Sequence, residues 1–182
     1  GIAKKALMQL VQSYHEQYGF NGVNLIPVNM YGPHDNFDPS ISHVIPALIL
    51  RIYKAMKFDI DSVEVWGTGN ASREFLHVYD CAEAIALSLE KDISPEPINI
   101  GTGGETQIRH LARTIADIMG YKGSVYFNSD YPDGQPRRQL DISLAKEQLG
   151  YEPKIGLQEG LETTIDWFME NKEEFDAYLN RV

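Results

Sequence analysis

The sequence predicts an α/β protein. Segments with the apolar period of a helix alternate with short β-branched runs, and glycine and proline mark most of the junctions. The composition is that of a folded chain, 182 residues with 43% hydrophobic and 23% charged. Ala3, Leu7, Leu10 and Tyr14 form one apolar stripe, which predicts a helix over 3–18 stopped by a left-handed Gly19. GVNLIPV at 22–28 reads as a strand, and NMYGPHDNFDPSIS at 29–42 as an ornate polar loop. Val44, Leu48, Ile52 and Met56 share a face and predict a helix over 43–57. Strands are expected at 63–66 and 73–78, separated by the turn GTGN. Asp80 and Glu83 resemble a capping box opening a helix whose stripe is Ile85, Ala86 and Leu89. PINI at 97–100 reads as a strand. A helix capped by Thr106 should carry Ile108, Leu111, Ile115 and Met119 to Gly120. A strand at 124–127, a charged loop at 129–138 and helices at about 141–149 and 157–171 complete the chain.

Charge and cysteine usage narrow the partners. Sixteen Lys and Arg face 26 Asp and Glu, a net charge of -10. Such a surface repels nucleic acid and anionic lipid. One cysteine, Cys81, excludes an internal disulfide and suits a reducing cytoplasm, where we expect the protein. Cys81 itself reads as a buried helix residue. No apolar run approaches the roughly 20 residues that span a bilayer. The chain opens without Met and its first residues already read as helix interior, which predicts a piece of something longer.

Single motifs are weak. Gly101-Thr102-Gly103-Gly104 invites a dinucleotide-fingerprint reading but fails it, because Thr106 stands where the last glycine belongs. A tight strand-to-helix turn is expected instead. The five histidines form no metal-binding spacing; His15 and His110 look like helix-surface residues, and His43 opens a helix beside the ornate loop. Lys4 and Lys5 read as a solvated face. Arg51, Arg73, Arg137 and Arg138 suit phosphate oxygens by their bidentate forks, yet salt bridges explain them equally well on spacing alone.

Taken together, GIAK, PVNMYGPHDNF, SHVIPALILR, VEVWGTGNASREFLHVYD and PDGQPRRQLD resemble the C-terminal part of the extended short-chain dehydrogenase/reductase family. The resemblance covers nearly the whole chain. It implies the end of a Rossmann-type core at 1–36, then a nucleotide-sugar-binding region at 37–182 interleaved with returning core elements. GIAK places Lys4 at the lysine of the family's Y-x-x-x-K motif, with the tyrosine expected just before Gly1. Tyrosine and lysine at i, i+4 share a helix face, and the ammonium lowers the phenol pKa. The family's phosphate loop would also lie upstream, so the fragment is expected to be inactive alone.

The implied activity is an NADP-dependent epimerisation and reduction of GDP-4-keto-6-deoxy-mannose. A related nucleotide-sugar 4-epimerase, dehydratase or reductase, or a non-catalytic binding or assembly module, are the alternatives. By the same resemblance, Pro27, Val28, Asn29 and Met30, with Lys4 and His43, meet the nicotinamide end of NADP. His43 is the acid/base histidine; Arg51, Trp66, Arg73, Asp133 and Arg138 contact the GDP-sugar. A homodimer packed through the helix at 3–18 is also implied.

Overall fold

In the computed structural model, which describes residues 1–181, helices and short strands alternate along the whole chain. Helix α1 (Ile2–Tyr18) ends at Gly19, whose φ of 63° is the left-handed cap expected there. Strands β1 (Leu25–Pro27) and β2 (Asn29–Tyr31) precede α2 (Val44–Lys57). Then come β3 (Ser62–Trp66), β4 (Ser72–Arg73), β5 (Phe75–His77) and α3 (Val78–Leu89). β6 (Ile98–Ile100), β7 (Thr106–Gln107), α4 (Ile108–Met119), β8 (Ser124–Asn128) and β9 (Arg137–Arg138) follow. The chain closes with α5 (Ser143–Leu149), α6 (Leu157–Glu170), α7 (Lys172–Phe175) and a 3₁₀ helix, Asp176–Arg181.

The strand pairs β1–β6, β2–β5 and β3–β8 are parallel. Parallel neighbours need long crossovers, which helices provide here. The exception is β4, antiparallel to β7 and parallel to β9.

Several boundaries differ from the sequence expectation. The run at 22–28 splits: β1 pairs with β6, while β2 begins inside the expected loop and pairs with β5. The strand expected at 73–78 likewise divides at Glu74, and Val78 already belongs to α3. Helix α3 starts earlier than the Asp80 and Glu83 pattern suggests. His77 is its N-cap, its Nδ1 accepting the Tyr79 N–H at 3.4 Å. Asp80 is buried and accepts the N–H groups of Lys154 and Ile155 at 3.0 and 3.1 Å. The stripe of Ile85 and Leu89 faces outward, and Cys81, Ala84 and Ser88 form the buried side. Thr106 is in β7 and Gln107 caps α4.

Two apolar cores result. One packs α2, α4 and α6 together through Leu48, Ile49, Ile52, Leu111, Ile115 and Leu161. Each such buried side chain contributes about 1.5–3 kcal/mol. The other joins Val28, between β1 and β2, and Leu76, Ile98 and Ile100 of the parallel strands to Ala84 of α3 and Leu149 of α5. Cys81 sits in this core as a small apolar residue, and burial pushes its thiol pKa up. Helix α1 buries none of its side chains: Leu7, Leu10 and Tyr14 are each more than half exposed.

Candidate functional site

Helix α2 positions the centre of the site. His43 is its N-cap, with φ -79° and ψ 173°, and its side chain is exposed. It lines a cavity of about 90 Å³ with Asn29, Met30, Val44, Arg73 and Phe75. The β2–β5 pairing creates this neighbourhood: Asn29 lies opposite Phe75, and its side-chain amide donates to the Glu74 carbonyl at 3.1 Å. Arg73 donates to the carbonyls of Ser72 and Gln135, the first at 2.7 Å, which ties it to the charged loop.

Two turns further along α2, Arg51 lines a second recess of about 280 Å³ with Lys54, Ser62, Glu64 and Trp66. Its guanidinium donates to the Glu64 carbonyl at 3.2 Å and lies 5.2 Å from the centre of the Trp66 ring. Burial pushes its pKa down, and Glu64 opposes that shift. Trp66 is 57% exposed because it ends β3 on the outward face. It stacks on Tyr131 at 4.7 Å with planes 15° apart.

The remaining expected residues fall in different settings. Arg138 pairs with Arg73 in the β4–β9 register, and both β9 arginines are exposed. Arg137, its neighbour, is spent on Glu105 at 2.8 Å. Asp133 is engaged within the chain: it accepts the N–H and hydroxyl of Thr68 at 2.9 and 2.6 Å, which hold its carboxyl pKa down. Val28 is buried in the second core, and its N–H donates to the Ile100 carbonyl at 2.9 Å. Lys4 and Pro27 are exposed, and neither lines the His43 or Arg51 cavity.

The glycine turn is not a phosphate cradle. Thr102 and Gly103 donate their N–H groups to Glu74 Oε1 at 2.6 and 2.7 Å, and Leu140 donates to Oε2 at 2.7 Å. Glu74 is fully buried and was missed as an organising residue. Its signal was an ionisable residue inside the apolar alternation of REFLHV. His77 was missed too. It is 1% exposed, its Nε2 lies 3.4 Å from the Thr163 hydroxyl, and burial pushes its pKa down. Among the described residues, no group of three or more His, Cys, Asp or Glu could hold a metal ion. No helix there is long and apolar enough to cross a membrane.

Parallel strands joined by helices are the arrangement of doubly wound, nucleotide-binding α/β proteins; here Arg51 lies on α2, the exposed His43 stands at its start, and Arg73 and Arg138 lie on β4 and β9. The sequence profile of the NAD dependent epimerase/dehydratase family matches residues 1–101, and the chain belongs to that family. It is 46% identical over 183 residues to GDP-L-fucose synthase of Escherichia coli (strain K12), an alignment covering 96% of this chain and 57% of that protein. The GDP-L-fucose synthetase of Naegleria fowleri superposes with a TM-score of 0.87 at 29% identity, covering 94% of this chain and 54% of that one. That protein has also been solved bound to NADP. The UDP-glucose 4-epimerase of Thermotoga maritima, solved with UDP-glucose, gives a TM-score of 0.83 at 29% identity over 94% of this chain and 53% of that one. The chain spans about half the length of the curated relatives it matches.

Proposed function

We propose that this chain supplies the nucleotide-sugar-binding part of an NADP-dependent epimerase/reductase of the GDP-L-fucose synthase type, acting on GDP-4-keto-6-deoxy-mannose. The carrying observation is the placement of both cavities along α2. At 1.5 Å per residue, His43 and Arg51 lie about 12 Å apart along the helix, with Arg73 beside the first. The sugar would sit at His43 and the nucleotide toward Arg51 and Trp66. Arg51, Arg73 and Arg138 offer planar forks that suit diphosphate oxygens, and Trp66 offers a flat ring to the base. Asp133 would have to exchange part of its bonding with Thr68 to meet the nucleotide.

Epimerisation beside a ketone needs a group that removes a proton and one that returns it. His43, at the cavity mouth, is the acid/base group in this reading. In this reading the nicotinamide end of NADP would meet Lys4, His43 and the stretch Pro27, Val28, Asn29 and Met30, of which His43, Asn29 and Met30 line the 90 Å³ cavity. The glycine turn has already committed its N–H groups to Glu74. NADP, when bound, supplies the hydride for reduction. Lys4 would hold charge near the ribose hydroxyls, and Asn29, anchored to the Glu74 carbonyl, would steady the cavity rim.

Self-association through the apolar face of α1 belongs to the same reading, as does residence in the cytoplasm. So does a division into a core remnant at 1–36 and a substrate region at 37–182.

Calorimetry of the chain against GDP, UDP and dTDP at millimolar concentration tests the proposal. Weak binding with a preference for GDP is expected. Equal binding of all three would remove the guanine assignment and favour another nucleotide-sugar enzyme.

A further inference from the structure

The segment 129–138, between the end of β8 and β9, is exposed at every residue, yet it engages the groups on which the proposed nucleotide site depends. Tyr131 stacks on Trp66, with ring centres 4.7 Å apart and planes 15° apart. Two residues on, Asp133 accepts the N–H and hydroxyl of Thr68 at 2.9 and 2.6 Å. Two further, the Gln135 carbonyl accepts from the Arg73 guanidinium. Alternate residues of the segment therefore meet the turn between β3 and β4 and both of its flanks. The approach depends on Gly67: its φ of 84° is left-handed, and a Cβ there would run into the Asp133 carboxylate. The far end is fixed where the segment enters β9, since the Ser72 N–H donates to the Pro136 carbonyl at 2.9 Å and Arg137 binds Glu105 at 2.8 Å. Before that point the segment buries no side chain, and a segment without buried apolar contacts opens at low cost.

We propose that residues 129–135 form a strap over the nucleotide subsite and that Tyr131 is a nucleobase-contacting residue, the base entering between its ring and that of Trp66. The inference rests on the nucleotide reading of Trp66, Arg73 and Asp133 given above. With the strap closed, all three are occupied within the chain: Trp66 by Tyr131, Asp133 by Thr68, and the Arg73 fork by the carbonyls of Ser72 and Gln135. One displacement of the strap loosens these contacts together. The indole keeps a second neighbour as Tyr131 moves, because the Arg51 guanidinium lies 5.2 Å from the centre of its ring. A planar base inserted between the two rings replaces one ring–ring contact by two, so the tyrosine is reused on opening. Stacking of this kind tolerates any base. Tyr131 therefore contributes affinity for a nucleobase, and the choice among bases is made by other groups.

Calorimetry of the chain and of its Tyr131→Ala and Tyr131→Phe variants against GDP, UDP and inorganic pyrophosphate tests this. Tyr131→Ala is expected to weaken GDP and UDP alike by about tenfold and to leave pyrophosphate unchanged, and Tyr131→Phe to bind all three as the wild type does. Unchanged nucleotide binding in Tyr131→Ala overturns the proposal. So does tighter binding, which would make Tyr131 a cover and not a contact, and so does an equal loss of pyrophosphate. Wild-type binding of pyrophosphate as tight as that of GDP overturns it as well, since the base then gains no contact. NMR of the wild type supplies a second reading. Ring-to-ring NOEs between Trp66 and Tyr131 should vanish in saturating GDP and persist in pyrophosphate; NOEs that survive GDP overturn the insertion. Preference for GDP over UDP enters neither reading. Loss of the guanine assignment would leave this inference standing, and an unaffected Tyr131→Ala would leave that assignment standing.

Discussion

The Glu74 carboxylate holds the backbone N–H of Gly103 at 2.7 Å, and so a buried side chain occupies the turn that a phosphate would otherwise use. The same carboxylate reaches Leu140, joining the β4–β5 junction, the turn after β6 and the approach to α5. Replacing it leaves the half-buried N–H donors of Thr102, Gly103 and Leu140 without this acceptor. Glu74→Ala is expected to lower stability by about 3–5 kcal/mol, with Glu74→Gln less damaging. Urea denaturation measures this, and a loss below about 1 kcal/mol would show that the turn is held by other means.

His77 carries a pH dependence of known sign. Its folded-state pKa is depressed by burial, so the unfolded chain binds its proton first. Stability is then full above the unfolded value of about 6.5 and falls as pH drops from there through the folded value. Carboxylates with lowered pKa, such as Asp133 and Glu105, lose their contribution only at more acidic pH. Urea midpoints compared at pH 7.5 and pH 5.5 should therefore fall in the wild type and fall less in His77→Gln. Equal falls in both proteins would assign the effect elsewhere.

Arg51 is held by the Glu64 carbonyl and Trp66 in a half-buried setting. A lysine there keeps the charge and loses the planar fork. Arg51→Lys is expected to weaken GDP binding by about tenfold, with the fold retained. Titration calorimetry beside a thermal melt separates the two effects. Undiminished binding would place the diphosphate away from α2.

Helix α1 presents Leu7, Leu10 and Tyr14 to solvent at 60%, 53% and 52% exposure. An apolar strip of this kind drives association. Light scattering at high concentration should show more than a monomer, and Leu7→Glu with Leu10→Lys should abolish the excess mass. A wild-type monomer under those conditions would count against an α1 interface.

The readable parts of this protein are the ones local physics controls. Helical period placed α1, α2, α4 and α6; Gly19 closed its helix in the left-handed conformation expected of it, and Gly120 closed α4 where expected. The motifs around Lys4, His43 and Arg73 pointed to the family that the profile match then showed. Which strand pairs with which was not legible, because pairing joins residues far apart in the chain. Hence β2, hidden in what read as a loop, is explained only by its partner β5, and β9 only by β4. The same holds for polar side chains. Asp80 looked like a helix cap and became a buried acceptor for Lys154 and Ile155; His77 gave no local sign of its burial, and Glu74 gave only its place inside the apolar alternation of REFLHV. Period and turn chemistry act over a few residues, whereas the fate of a carboxylate depends on which distant N–H the packed chain brings against it.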